Sequence, residues 1–363
     1  MGKLMPMGFN DDTFLKCFKE LYEYLWIEIE SEYAFWKKKN EKLIIVGKKS
    51  RYNFPKPEKF ILLKSVHVRA KYRFNHSNGV ILSNAEQITL YDQLLDENKI
   101  KLEAKRKKLF EKLELVQEIE PKYIQEYINS YFKIRHTGQN SIDRKIEIIR
   151  EVSKYKSDKT IDFFQKINAG ERNISLRREA FTVLQQLNEK VILRRNPKGK
   201  KKESQTMKYL IEETPDYLIE KIYEDNLEQI KDFDVFLSHS SNDRKNVVLL
   251  YKLLNKNHFH VYIDWVNDKY ALKRNLLNKN TANVVVQRLN KSKVLIYFHS
   301  EESLKSQWTP WEVGYFQGIG KQVFVYNPKN LELPTFLQIY PAIHIRNSTI
   351  FVYDGKNETM FKI

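Results

Sequence analysis

The stretch Phe233-Asp-Val-Phe-Leu-Ser238, continued by His239-Ser-Ser-Asn-Asp243, decides the fold. It reads as a strand of the buried type that stops in a polar run. A helical pattern follows at once, with Val247, Leu250, Leu253 and Leu254 on its apolar face. Phe259-His-Val-Tyr-Ile-Asp264 is a second strand, ending in a carboxylate, and a polar loop carrying Trp265, Asp268 and Arg274 comes after it. The next helix holds Val284, Val285 and Leu289; Val294-Leu-Ile-Tyr-Phe298 is a third strand that runs into His299 and Ser300. Gln322-Val-Phe-Val-Tyr326 and Ala342-Ile-His-Ile345 are a fourth and a fifth. Alternating strands and helices require right-handed crossovers and a parallel sheet covered on both faces. Ligands bind such a sheet at the carboxyl ends of its strands. Ser238, Asp264 and Ser300 are therefore expected to converge on one crevice. Neither a GxGxxG nor a Walker sequence is present, which excludes the usual dinucleotide and P-loop sites.

Between the third and fourth strands lies Ser306-Gln-Trp-Thr-Pro-Trp-Glu312. Pro310 suits a first helical turn, where its missing N–H costs nothing. A helix from about Thr309 to Gly318 sets Trp308 and Glu312 one turn apart on a shared face. A flat aromatic wall beside a single acid suits a cationic or sugar-like group. Read alone, Glu312 is equally a surface acid favoured by a helix N-terminus. His258 and His260, two apart on a strand, offer no third metal ligand.

FDVFLSHSSND (233–243) resembles the first box of TIR (Toll/interleukin-1 receptor) domains, and SEESLKSQWTPWE (300–312) supplies the Trp-x-x-x-Glu spacing of that family. The resemblance covers about residues 232–346, and WTPWEVGYFQG with the Asp264-Trp265 pair is similar to the prokaryotic branch. It implies a flavodoxin-like fold, a five-stranded parallel sheet flanked by helices. It also implies cleavage of NAD+, as substrate rather than cofactor, at the nicotinamide–ribose bond. The family's catalytic acid then falls on Glu312. Trp308 would pack against nicotinamide or ribose. Ser238 and Ser300 would donate to ribose or phosphate oxygens, Arg274 would neutralise phosphate, and Asp264 and Trp265 would border the same site, with Asp264 equally able to cap its loop. Nicotinamide leaves as a neutral molecule from an oxocarbenium-like transition state, so one carboxylate suffices and a second acid is not required. Hydrolysis, cyclisation and transfer share this cleavage. The family further implies activation by self-assembly into a homo-oligomer and a role in bacterial antiphage defence. A non-catalytic interaction module is the alternative.

The rest of the chain divides into an N-terminal α+β region (1–100) and a helical region (101–230), leaving 231–363 for the TIR domain. Asp11 and Asp12 cap a first helix striped by Phe14, Phe18, Leu21 and Leu25. In Val66–Arg73 the alternation of Val66, Val68, Ala70 and Tyr72 with basic residues predicts a half-exposed strand. Later stripes are helical: Ile146, Ile149 and Val152; Ile161, Phe164 and Ile167; Leu176, Ala180, Val183, Leu184 and Leu187. LRREAFTVLQQL (176–187) resembles the second helix of a HEAT-type repeat. Arg194–Gln205, rich in Lys and Arg, reads as a solvated connector.

The single cysteine, Cys17, excludes a disulfide framework and fits a reducing cytoplasm. No apolar run reaches membrane-span length, and no membrane contact is expected. The formal net charge of +17 is spread along the chain, with 18 Lys/Arg against 11 Asp/Glu from Lys231 onward and 45 against 35 before it. That excess suits a nucleic acid or another polyanion as trigger at the N-terminal region, and equally suits a Lys-rich composition with no such partner. A protein trigger is the other expectation for that region.

Overall fold

The computed structural model describes residues 1–79, 82–113, 115–135, 138–192, 213–269, 271–272 and 278–363. Arg274 and the stretch Arg194–Gln205 lie outside the described residues. The chain forms two compact units, Met1–Glu111 and Lys112–Ile363.

The first part of the chain carries α1 (Asp11–Leu21), α2 (Glu23–Ile45), α3 (Pro57–Lys64), α4 (Val66–Ser77) and α5 (Asn84–Leu113). Asn10, rather than Asp11 or Asp12, caps α1: its Oδ1 accepts the Thr13 N–H at 2.8 Å. Met5, Phe9, Phe14, Leu15, Trp26 and Ile61 form the core of this unit. The strand expected over Val66–Arg73 is instead the helix α4. Arg69 and His76, seven residues apart, are its buried residues. The Arg69 guanidinium donates to the Leu62 carbonyl at 2.9 Å and pairs with Asp11. The apolar alternation misleads because Val66 and Val68 are exposed while the arginine between Val68 and Ala70 is buried.

The second unit begins with α6 (Ile124–Lys133), α7 (Gln139–Val152), α8 (Asp158–Gly170) and α9 (Ile174–Gln186), followed by α10 (Pro215–Glu224) and the single turn α11 (Asn226–Gln229). Every apolar residue of the three later stripes lies in or against one buried cluster, joined by Tyr123, Tyr127 and Tyr131. In the same unit these helices are followed by a sheet and its flanking helices: β1 (Phe233–Ser238), α12 (Arg244–Lys256), β2 (Val261–Tyr262), α13 (Asp264–Asn267), α14 (Lys279–Asn290), β3 (Ser292–Phe298), α15 (Glu301–Lys305), α16 (Trp308–Gly318), β4 (Gln322–Tyr326), β5 (Ala342–Arg346), β6 (Thr349–Tyr353) and β7 (Glu358–Met360).

The strand order is β2-β1-β3-β4-β5-β6-β7. Strands β1 to β5 are parallel, as expected, but β6 and β7 extend the sheet in antiparallel fashion, making seven strands rather than five. The extension starts at a two-residue turn, Asn347-Ser348, both at positive φ (49° and 64°), the geometry that matches the twist of a hairpin. Each face of the sheet has its own core. Val235 and Leu237 of β1 pack with Val247, Leu250 and Leu254 of α12. Phe236 packs with Leu289 of α14 and Val313 and Phe316 of α16. Side chains alternate along a strand, so Ser238 shares the side of Phe236 and faces α16.

Leu295, at the centre of β3, has no solvent exposure. Leu295→Ala is expected to destabilise the protein by about 2–5 kcal/mol, read as a lowered urea midpoint, whereas Leu304→Ala at a 45% exposed position should cost about 0.5 kcal/mol or less.

Candidate active site

Helix α16 buries Thr309, Glu312, Val313 and Phe316, the i, i+3, i+4, i+7 set of one helical face. Glu312 therefore stands on the apolar stripe and is only 9% exposed. Its partner comes from the neighbouring strand end: Ser238 Oγ donates to Glu312 Oε2 at 2.6 Å. Ser238 is itself 1% exposed. Burial pushes the Glu312 carboxyl up to about 8; the Ser238 hydrogen bond pulls the other way, and the charge of Asp264 adds to the rise. A carboxyl shifted this far favours its protonated form at neutral pH.

A cavity of about 470 Å³ opens in front of this carboxyl. Its wall includes Phe236, Tyr262, Asp264, Trp308 and Glu312, with His239 to Asn242 from the turn after β1 and Glu302, Lys305, Ser306 and Gln307 from around α15. That size and mix suit one organic ligand held by a few polar groups. At the rim, Asn242 Nδ2 and Lys305 Nζ both donate to Glu302, at 2.6 and 2.8 Å. Tyr262 is stacked on Phe236 at 5.1 Å, and Trp308 meets Trp311 edge to face at 5.6 Å.

The turn after β1 is braced by a histidine. His239 Nδ1 lies 2.9 Å from the Leu237 carbonyl, and Trp265 Nε1–H donates to His239 Nε2 at 2.8 Å. Those two partners require the neutral tautomer with its proton on Nδ1. The Arg244 guanidinium covers the Trp265 ring at 4.9 Å.

Of the residues singled out in the sequence, Glu312, Trp308 and Asp264 line the cavity and Ser238 holds Glu312. Trp265 acts one step back, on His239. Ser300 does not reach the site: its hydroxyl caps α15 through the Ser303 N–H at 2.9 Å and donates to Asp243 Oδ2 at 2.5 Å. A serine ending a strand here is a helix cap, which the Ser-x-x-Ser spacing into α15 already encoded. His299 meets the Glu332 carbonyl, and His260 is buried against the Tyr155 hydroxyl at 3.0 Å. Among the described residues no group of three or more His, Cys, Asp or Glu is arranged to hold a metal ion. His239, Tyr262 and Lys305 are wall residues that sequence reasoning left unassigned.

The family model of the TIR domain matches residues 235–348. Over 331 residues, 90% of this chain and 86% of the relative, the sequence is 34% identical to a Cytobacillus dafuensis protein that bears the name cyclic ADP-D-ribose synthase TIR2. A Bacillus cereus (strain MSX-D12) protein that bears the name 3′ cyclic ADP-D-ribose synthase ThsB′ is 37% identical over 108 residues, 30% of this chain and 55% of its own length. Among solved structures, the TIR domain of the Toll-related receptor TRR-2 of Hydra magnipapillata is matched over 29% of this chain and 78% of that one, at 19% identity and a TM-score of 0.24.

A carboxyl raised to about 8 in the folded state, against about 4.5 when unfolded, binds a proton that the unfolded chain releases. Its contribution to stability is present below pH about 4.5 and lost as pH rises toward about 8. Glu312→Gln carries no such loss. Its melting temperature should rise relative to wild type as pH increases from 5 to 8 and then level off; parallel curves in thermal unfolding would refute the buried, protonated state.

Proposed function

Because this chain belongs to the TIR-domain proteins of bacteria, we propose that it cleaves NAD+ at the bond between nicotinamide and ribose, with Glu312 as the catalytic carboxylate. The observation that carries this reading is the Ser238–Glu312 pair, at 2.6 Å beside a 470 Å³ cavity walled by Trp308 and Tyr262.

Nicotinamide in NAD+ is a cation. Its entry beside Glu312 favours loss of the carboxyl proton, so binding itself generates the carboxylate. When the C1′–N bond breaks, both electrons go to nicotinamide, which departs neutral, and positive charge grows on the ribose ring. A Glu312 carboxylate facing the ribose would lower the energy of that charge, with its orientation kept by the Ser238 hydroxyl. Trp308 offers a flat face to the departing ring. A nucleophile then bonds to C1′ and gives up its proton. We take this nucleophile to be a group of the same ADP-ribose molecule, giving a cyclic product, because both bacterial relatives bear the names of cyclic ADP-D-ribose synthases. Water as nucleophile gives ADP-ribose instead. The unit Met1–Glu111, compact in itself, is proposed as the sensor of a trigger in antiphage defence, and activity is proposed to rise when TIR domains self-associate.

Full-length protein incubated with NAD+ should release nicotinamide, with a cyclic ADP-ribose as the partner product by mass spectrometry. Glu312→Gln should lower kcat by at least about 100-fold, and full activity in that variant would sink the assignment. The free-enzyme profile, kcat/KM, should climb with pH through about 8. Asp264→Asn should move that inflection to lower pH by removing the neighbouring negative charge; an unmoved inflection would rule out Asp264 as a neighbour that tunes Glu312.

A further inference from the structure

Strand β2 is the outer parallel strand of the sheet, and the helical segment covers its open side. The Val261 N–H donates to Gln117 Oε1 at 3.1 Å, and the Val261 carbonyl accepts from Gln117 Nε2 at 3.0 Å. A primary amide reproduces the donor and acceptor that a further strand would present. Gln117 is wholly buried, and its main chain is fixed on the other side by the Lys154 carbonyl at 2.9 Å and the Lys156 N–H at 2.8 Å. Beside it the Tyr155 hydroxyl meets both Tyr123 Oη at 2.6 Å and His260 Nε2 at 3.0 Å.

A second tie falls on α13. The Lys154 ammonium donates to the Asn267 main-chain carbonyl and pairs with Glu151 at 2.6 Å. Lys231 joins Glu151 at 2.9 Å and Glu228 at 2.6 Å; Arg288 joins Glu228 at 3.1 Å and Asp268 at 2.9 Å. Asp268 follows Asn267 in the chain, so the circuit closes on itself. Three cations and three carboxylates balance in it, and all but Lys154, at 15%, have side chains 7% exposed or less. Deleting one member of such a set strands a buried charge. Between the two ties sit Tyr262 and Asp264, which wall the cavity, and Tyr262 Oη itself donates to Asp268 at 2.9 Å.

We propose that the helical segment described over 115–135, 138–192 and 213–231 is a built-in part of the pocket, and that Gln117 and Lys154 are positioning residues that hold the β2–α13 wall where NAD+ binds. The kinetic arm of this inference rests on the NAD+-cleavage reading; the structural arm does not.

The test uses the full chain as Lys154→Met, Gln117→Leu and Lys154→Arg. Amide hydrogen exchange reports the wall without any assay of activity. Peptides spanning 260–268 should exchange at least about tenfold faster in the first two variants, with β3 and β4 unchanged. The KM for NAD+ should rise at least about fivefold in Lys154→Met with kcat within about twofold, and Lys154→Arg should restore both. Unchanged exchange over 260–268 overturns the inference. So does acceleration spread over all peptides, which makes the contact one of general stability, or a loosened wall with an unchanged KM. A wild-type protein that releases no nicotinamide defeats the NAD+ reading alone, and exchange still decides whether the helical segment holds the wall.

Discussion

A carboxyl on the buried stripe of α16 is the constraint to which the site answers. The period of two along β1 turns Ser238 toward α16, and the period of 3.6 along α16 turns Glu312 toward β1. The two meet because Phe236 with Val313 and Phe316 fixes the distance between strand and helix. Burial makes an ionised acid costly in that position, which pushes the Glu312 carboxyl up to about 8.

The helical segment and the sheet share a single buried electrostatic arrangement. Burial alone would raise the Glu151 carboxyl, yet Lys154 and Lys231 bring it down to about 2. Against the same penalty, Lys231 and Arg288 hold Glu228 well below the ordinary carboxylate range. Nearby, burial lowers His260 to about 4, so it stays neutral beside Tyr155. Ion pairs of this kind add little net stability over apolar packing, but they penalise every misaligned arrangement. Their value lies in fixing where α13 sits relative to β1.

Much of this was legible in the chain itself. The parallel strands follow from buried-type runs separated by helical stripes, and Glu312 with Trp308 follows from a spacing of four. What escaped was of three kinds. Val66–Arg73 alternates as a strand does, but Arg69 is buried through distant partners at Leu62 and Asp11, which no local pattern reveals. Asn347-Ser348 lacks the glycine that usually announces a hairpin, so β6 and β7 went unseen. Gln117 and Val261 are 144 residues apart, and a side chain standing in for a strand leaves no periodic trace. Ser300 shows the opposite error, a local capping signal taken for a site because of its place at a strand end.

The two borders of the sheet are finished in different ways. Parallel sheets invite growth by strand addition wherever an edge is bare. At β2 that route is closed by the Gln117 amide. At the other end β7 is three residues long, and its Glu358 is engaged by Arg346 and His344. Among the described residues, neither border offers a long bare strand, so extension of the sheet by a strand from any other chain is disfavoured at both.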